Sequence, residues 1–188
     1  MSLRALLLAP PGAGKGTQGI RLAERRGVAH LATGDMLRRH VASGTDLGVE
    51  AEGYMERGDL VPDHLVVSLV MHEISGPPPL SGFVLDGFPR SLVQAEAAYE
   101  WGRVNDRTFH AVICLAVPDD ELVRRLLDRG RSDDTEETVR NRLKVYAEST
   151  EPLFDFYRRR EILVTVDGTG AIEEVADRID AGLAGLGV

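Results

Sequence analysis

One stretch of the chain carries residue types suited to chemistry on phosphate: Ala9-Pro10-Pro11-Gly12-Ala13-Gly14-Lys15-Gly16-Thr17. An apolar run, Ala5 to Leu8, leads into it, and Gly16 to Arg26 follow at helical spacing. Strand, glycine-rich loop and helix in that order make an anion cradle. Successive backbone N–H groups turn inward, and the helix N-terminus adds its positive partial charge. Lys15 contributes a full charge for β- and γ-phosphates, and Thr17 a hydroxyl that can face Mg²⁺. The stretch departs from G-x-x-x-x-G-K-[ST] twice: Ala9 replaces the first glycine, and Gly16 displaces the hydroxyl residue by one place. The competing reading is an ordinary glycine-rich turn, which does not call for a strand before it and a helix after it. The loop argues for a nucleotide without naming one.

Such a loop works only at the carboxyl end of a strand within a sheet, so the elements around it matter. Strands are expected at Leu3 to Leu8, Val28 to Leu31, Phe83 to Leu85, Ala111 to Val117 and Ile162 to Val166. Helices are expected at Lys15 to Arg26, Ser91 to Trp101, Pro118 to Asp128, from Thr135 towards Tyr157, and Ile172 to Leu183. This alternation predicts an α/β fold, a parallel sheet of about five strands covered by helices on both faces. It lapses once. Asp35 to Val41, Gly48 to Met55 and Pro62 to Ile74 read as three helices in a row, too many for one crossover. Part of that region, 32–61, is therefore expected to form a helical flap inserted in a single domain spanning 1–188.

Composition narrows the function classes. A chain of 188 residues that is 43% apolar can bury one sizeable core. No apolar run is long enough to span a bilayer, and the N-terminal one is too short for a signal peptide, so a cytoplasmic protein is expected. Cys114 is the single cysteine, which excludes an intrachain disulfide and a cysteine zinc cluster. The five histidines share no metal-ligand spacing. A net charge of −8 argues against general binding to nucleic acid or acidic lipid. Arginine is abundant while lysine occurs only at Lys15 and Lys144, which suits bidentate clamping of phosphate at motif positions.

Further motifs fall in order along the chain. Thr33-Gly34-Asp35-Met36-Leu37-Arg38 follows the second strand, and Asp86-Gly87-Phe88-Pro89-Arg90, with Gln94 beyond, follows the third. Arg125 and Arg129 sit one helical turn apart, ahead of Arg131-Ser132-Asp133-Asp134, Glu136-Glu137-Thr138 and Arg142. With the Lys15 loop, this series resembles the adenylate kinase family, short-lid type, from end to end. The resemblance implies a P-loop kinase fold with an NMP-binding flap at 32–61 and a short lid at 128–134. It implies reversible transfer of the ATP γ-phosphoryl to AMP to give two ADP, with Mg²⁺ accompanying ATP, in a monomer.

By that resemblance, Gly12, Ala13, Gly14, Lys15, Gly16 and Thr17 hold the ATP phosphates. Arg125, Arg129 and the turn at Gly170 also serve ATP. Thr33, Arg38, Asp59, Leu60, Val61, Gly87, Phe88, Pro89, Arg90 and Gln94 form the AMP pocket, Gln94 on the adenine edge. Arg131 and Arg142 grip the transferring phosphoryl and the AMP phosphate. Lys15, Arg90, Arg129, Arg131 and Arg142 make up the catalytic cations, and Thr17 and Asp86 reach Mg²⁺ through water. Phosphoryl transfer asks mainly for cations converging on one group, which these residues supply. Only Gly130 to Ser132 separate Arg129 from Asp133, leaving no room for the long, zinc-bearing lid of many bacterial relatives.

Three rivals are weighed. A UMP/CMP kinase resembles the chain in loop, flap and lid, but tends to carry Ala and Asn where Thr33 and Gln94 stand. A nucleotide-binding switch without phosphotransfer leaves the motif arginines without a purpose. A nucleic-acid-processing ATPase conflicts with the acidic balance.

Overall fold

The structure, a computed structural model, describes residues 2–129 and 135–188. Strand β1 (Arg4–Leu8) is the middle of a five-stranded sheet in the order β2 (Ala29–Ala32), β3 (Phe83–Asp86), β1, β4 (Ala111–Ala116), β5 (Leu163–Asp167). Every pairing is parallel, with Leu6 opposite Leu85 and Val112, and Leu31 opposite Leu85. Parallel strands need long crossovers, so helices must cover both faces, and the strands read as continuous apolar runs.

The side-chain period of two divides those runs between two cores. Leu6, Leu8, Phe83, Leu85 and Val112 face one layer, where they meet α2 (Thr33–Ala42), α3 (Asp46–Arg57), α4 (Asp63–Ser75), α5 (Leu92–Val104) and α8 (Leu153–Arg158). Ala5, Leu7, Val84, Ile113 and Leu115 face the other layer, against α1 (Lys15–Arg26), α6 (Asp119–Arg129) and α9 (Ile172–Gly185). Leu6, Leu7 and Leu85 are fully buried, and truncating any of them to alanine costs about 2–5 kcal/mol.

This arrangement creates the crevice. Chain leaving β1 turns into α1 on one face, while chain leaving the adjacent β3 turns into α5 on the other face. Adjacent strands whose exits part to opposite faces open a cleft at their carboxyl ends. The expected flap segment, 32–61, holds α2 and α3, which pack together. Thr45 caps α3, its side chain accepting a hydrogen bond from Gly48 N (3.1 Å).

One expectation is corrected. The long helix read from Thr135 towards Tyr157 is two helices, α7 (Glu136–Ser149) and α8, separated by Thr150, Glu151 and Pro152. Pro152 has no N–H to donate and disfavours helical backbone in the residue before it. The short-lid segment past Arg129, including Arg131, Asp133 and Asp134, lies outside the described residues. No helix among the described residues is long and apolar enough to cross a membrane.

Candidate active site

The loop between β1 and α1 is shaped by two glycines in the left-handed region, Gly12 at φ 87° and Gly14 at φ 90°. Gly12 also passes too near α6 for a side chain, since a Cβ would stand 2.8 Å from Leu122 O. Ala13 N donates to Pro10 O (3.2 Å), and Gln18 N opens the helical ladder on Gly14 O (3.0 Å). Lys15 Nζ donates to Ala9 O (2.8 Å) and Pro10 O (2.9 Å), so the ammonium folds back across the turn. Ala9, the departure from the glycine pattern, is 4% exposed and belongs to the core with Leu7 and Ala13. Its methyl is absorbed by apolar packing.

Across the crevice, β3 ends at Asp86 and the segment to Ser91 turns into α5. Arg90 folds back on this segment, Nε donating to Gly87 O (2.8 Å). Its backbone is held at both ends: Arg90 N donates to Gln94 Oε1 (2.8 Å), and Arg90 O accepts from Thr150 Oγ1 (3.0 Å). Thr33, 2% exposed at the start of α2, donates its hydroxyl to Asp86 O (3.1 Å). The flap is thereby tied to the end of β3. Arg38, one turn on, pairs with Asp35.

These parts bound one concavity of about 520 Å³, the size of a small-ligand site. Lys15, Arg38, Arg90, Arg125 and Arg142 all border it, together with Gly12, Gly14, Gly16, Thr17, Thr33, Gln94, Gly87, Pro89 and the stretch Asp59 to Val61. In a chain of net charge −8, this gathers cations at one place. Arg90 keeps exposed surface towards the crevice, yet the protein crowds it. Desolvation lowers its pKa; Asp86 opposes this, while Arg142 and Arg38 add to it. An arginine so placed stays charged, and the like charges of Arg38 and Arg142 beside it favour an anion among them.

Arg142 comes from α7, and its stem lies against the flap: a Cβ on Gly58 would stand 3.0 Å from Arg142 Cγ. Arg125 Nε donates to Glu121 Oε1 (2.6 Å) and Nη1 to Gly168 O (3.3 Å), joining α6 to the turn after β5. That turn is braced by Arg178, whose Nη1 donates to Asp167 O (2.9 Å) and Thr169 O (2.7 Å).

Three expected site residues stand apart from the crevice wall. The Phe88 side chain is fully buried in the core beneath α5, Ala13 is 2% exposed in the opposite core, and Gly170 lies beyond β5 outside the lining. Each can therefore contribute backbone but not side-chain contacts, and Phe88 acts as packing. Arg129 ends α6; Arg131 falls outside the described residues.

The oxygen donors at the loop suit a hard cation. Asp86 Oδ2 would lie 3.7 Å from a Cβ on Gly16, and Thr17 is exposed at the start of α1. One carboxylate and one hydroxyl match Mg²⁺, which keeps several waters and shares substrate phosphates. Among the described residues no three His, Cys, Asp or Glu side chains gather as a metal cage.

Sequence reasoning missed several residues. Asp63 accepts from Gln94 Nε2 (2.8 Å) and Ser91 Oγ (2.8 Å), and Asn141 Nδ2 donates to Arg57 O (2.8 Å) and Asp59 Oδ1 (3.0 Å). Thr150, Val145 and Tyr146 border the crevice. In sequence Asp63 reads only as an acid in a helix first turn and Asn141 as helix surface, so no signal separated them from neighbours.

The family model described as adenylate kinase matches residues 7–162. The chain is 50% identical to the adenylate kinase of Synechococcus sp. (strain RCC307), over 98% of this chain and all of the relative. It is 48% identical to that of Nocardia farcinica (strain IFM 10152), over 94% of this chain and 96% of the relative. For the adenylate kinase of Mycolicibacterium smegmatis the identity is 47%, over 94% and 96% respectively.

Proposed function

Since the chain belongs to the adenylate kinase family, we propose that the crevice between the ends of β1 and β3 is where an ATP:AMP phosphotransferase brings its two nucleotides together. The activity is reversible transfer of the ATP γ-phosphoryl to AMP, giving two ADP. The observation that carries the site assignment is the meeting of Lys15, Arg38, Arg90, Arg125 and Arg142 on one cavity between the ends of β1 and β3.

ATP takes the β1–α1 side. Backbone N–H groups from Gly12 to Thr17 hold its phosphates, with the α1 N-terminus adding its dipole. The Lys15 ammonium leaves the Ala9 and Pro10 carbonyls for phosphate oxygens, a stronger charge-assisted partner. Arg125 and the backbone near Gly170 serve the adenosine end. AMP takes the flap side: Thr33, Asp59 to Val61, Gly87 to Pro89 and Gln94 bound it, and Arg38 and Arg90 hold its phosphate. Arg129, Arg131 and Arg142 complete the cation set around the group in flight.

The acceptor is an AMP phosphate oxygen, already anionic at neutral pH, so no side chain need remove a proton. Catalysis is then alignment and charge neutralisation. In line, the acceptor oxygen attacks the γ-phosphorus as the bond to the β–γ bridging oxygen breaks. Arg90 and Arg142 neutralise charge on the equatorial oxygens, and Lys15 that on the β/γ side. Thr17 and Asp86 would hold Mg²⁺ through its waters; when bound, the ion neutralises donor phosphate charge. Closure of the flap at 32–61 and of the lid at 128–134 excludes water, the competing acceptor. We take the protein as a cytoplasmic monomer; its one cysteine, buried, suits a reducing compartment.

ADP formation from MgATP is to be measured in a coupled assay with AMP, UMP, CMP and no acceptor. AMP gives the highest kcat/KM by orders of magnitude, and the acceptor-free rate is near zero. UMP or CMP matching AMP would overturn the nucleotide assignment.

A further inference from the structure

Gln94 was assigned to the adenine edge of AMP, and the inference below rests on that reading. Gln94 is 1% exposed and borders the crevice. Both of its ends are already engaged by groups that can play only one part. Oε1 accepts from the Arg90 backbone N–H (2.8 Å), which can only donate. Nε2 donates to Asp63 Oδ1 (2.8 Å), which as a carboxylate can only accept. Turning the amide over would set donor against donor at Arg90 and acceptor against acceptor at Asp63. Oxygen and nitrogen therefore have one chemically permitted placement.

Asp63 is itself held. The same Oδ1 accepts from Ser91 Oγ (2.8 Å), and Ser91 Oγ accepts from Gln94 N (3.2 Å) as the cap of α5. Asp63 opens α4 just past Asp59 to Val61, the stretch that ends the flap. The carboxylate thus joins the flap's return to the first turn of α5 through one oxygen.

An amide fixed this way has one lone pair on Oε1 and one N–H on Nε2 still to use. Adenine presents an N6 amino donor and an N1 acceptor on its Watson–Crick edge, which that pair complements. Hypoxanthine presents the inverse, an O6 acceptor and an N1–H donor, which would need the amide reversed. We propose that Asp63 is a specificity-determining positioning residue: by locking the Gln94 amide it makes the acceptor pocket read a 6-amino purine and reject a 6-oxo purine. Asp63 touches neither nucleotide in this role.

The test compares kcat/KM for AMP and IMP as acceptors, with KM for ATP measured in parallel. In Asp63→Ala the AMP-over-IMP ratio falls on the order of tenfold, mostly through KM for the acceptor, while KM for ATP stays within about twofold. A purely structural role would lower both substrates alike and leave the ratio unmoved. Asp63→Asn, which keeps an acceptor oxygen but can also present an amide, falls in the same direction by a smaller factor, about two- to fivefold. It decides the matter should the alanine variant fail to fold. Gln94→Ala separates the premise from the inference. A raised AMP KM in Gln94→Ala with wild-type selectivity in both Asp63 variants overturns the role of Asp63 alone. An unaltered AMP KM in Gln94→Ala overturns the adenine assignment and the inference with it.

Discussion

Arg90 has two attachments with different consequences. Its backbone is pinned by Gln94 and Thr150 while its guanidinium folds over Gly87 towards the crevice. Replacing the side chain by alanine therefore spares both backbone bonds and removes the charge together with its one hydrogen bond to Gly87 O. For Arg90→Ala we expect kcat to fall on the order of 10³-fold, as for other charge-stabilising arginines, with the unfolding midpoint in urea little changed. Near-normal turnover would discard the catalytic role we propose for it. Cys114 illustrates the opposite environment. Burial, with Glu151 next, pushes its thiol up to about 11, opposed by Lys15. At pH 8 the thiolate is then scarce, and a disulfide reagent should react with the folded protein far more slowly than with protein in urea. Fast labelling of the native state would contradict the closed packing around β4.

Among the elements, the contact between the 32–61 segment and α7 bears on the closure we propose. Asn141 bridges the last carbonyl of α3, on Arg57, and the carboxylate of Asp59. The Asp59 carboxyl is held below its ordinary range, first by Asn141 and then by Arg57. One position later on the same helix is Arg142, against Gly58. The amide thus sets where the base of the flap meets the helix that delivers a cation. Asn141→Ala should raise KM for AMP several-fold, with KM for ATP nearly unchanged. Hydrogen exchange should quicken at the amides of Gly58 to Leu60, the segment freed. Exchange and KM both at wild-type values would reduce the contact to surface decoration. Losing one such bond is worth about 0.5–1.5 kcal/mol, enough for that change in KM.

On the scale of the whole molecule, an acidic protein gathers five cations on one cleft at the parting of β1 and β3, the place we assign to two anionic substrates. Because both nucleotides are assigned to that one cleft, a molecule carrying two adenosines on one polyphosphate chain should engage both halves together. Linked halves gain from effective concentration. At about 100 times its Kd such a ligand stabilises the fold by about 2.7 kcal/mol, a rise of about 5–11 °C in Tm for a chain of this size. Scanning calorimetry with the linked compound, and with AMP and ATP separately at the same concentrations, tests it. A linked compound no tighter than ATP alone would place the two subsites apart.

Local patterns determined a great deal by themselves. The apolar strands, the Lys15 loop and the motif order were all readable, because a parallel strand buried on both faces and a loop cradling phosphate each impose their residue types on neighbouring positions. The break at Pro152 was also written in the chain, and the helical periodicity running through it obscured it. What only the tertiary structure decided is contact between distant segments. Asp63 meets Gln94, Asn141 meets Asp59, Thr150 meets Arg90, Phe88 turns into the core, and the methyl of Ala9 finds apolar neighbours. None of these has a periodic or composition signature, since a hydrogen bond across many residues depends on where two faces come to rest. Local propensity sets the elements; packing sets which of their side chains meet.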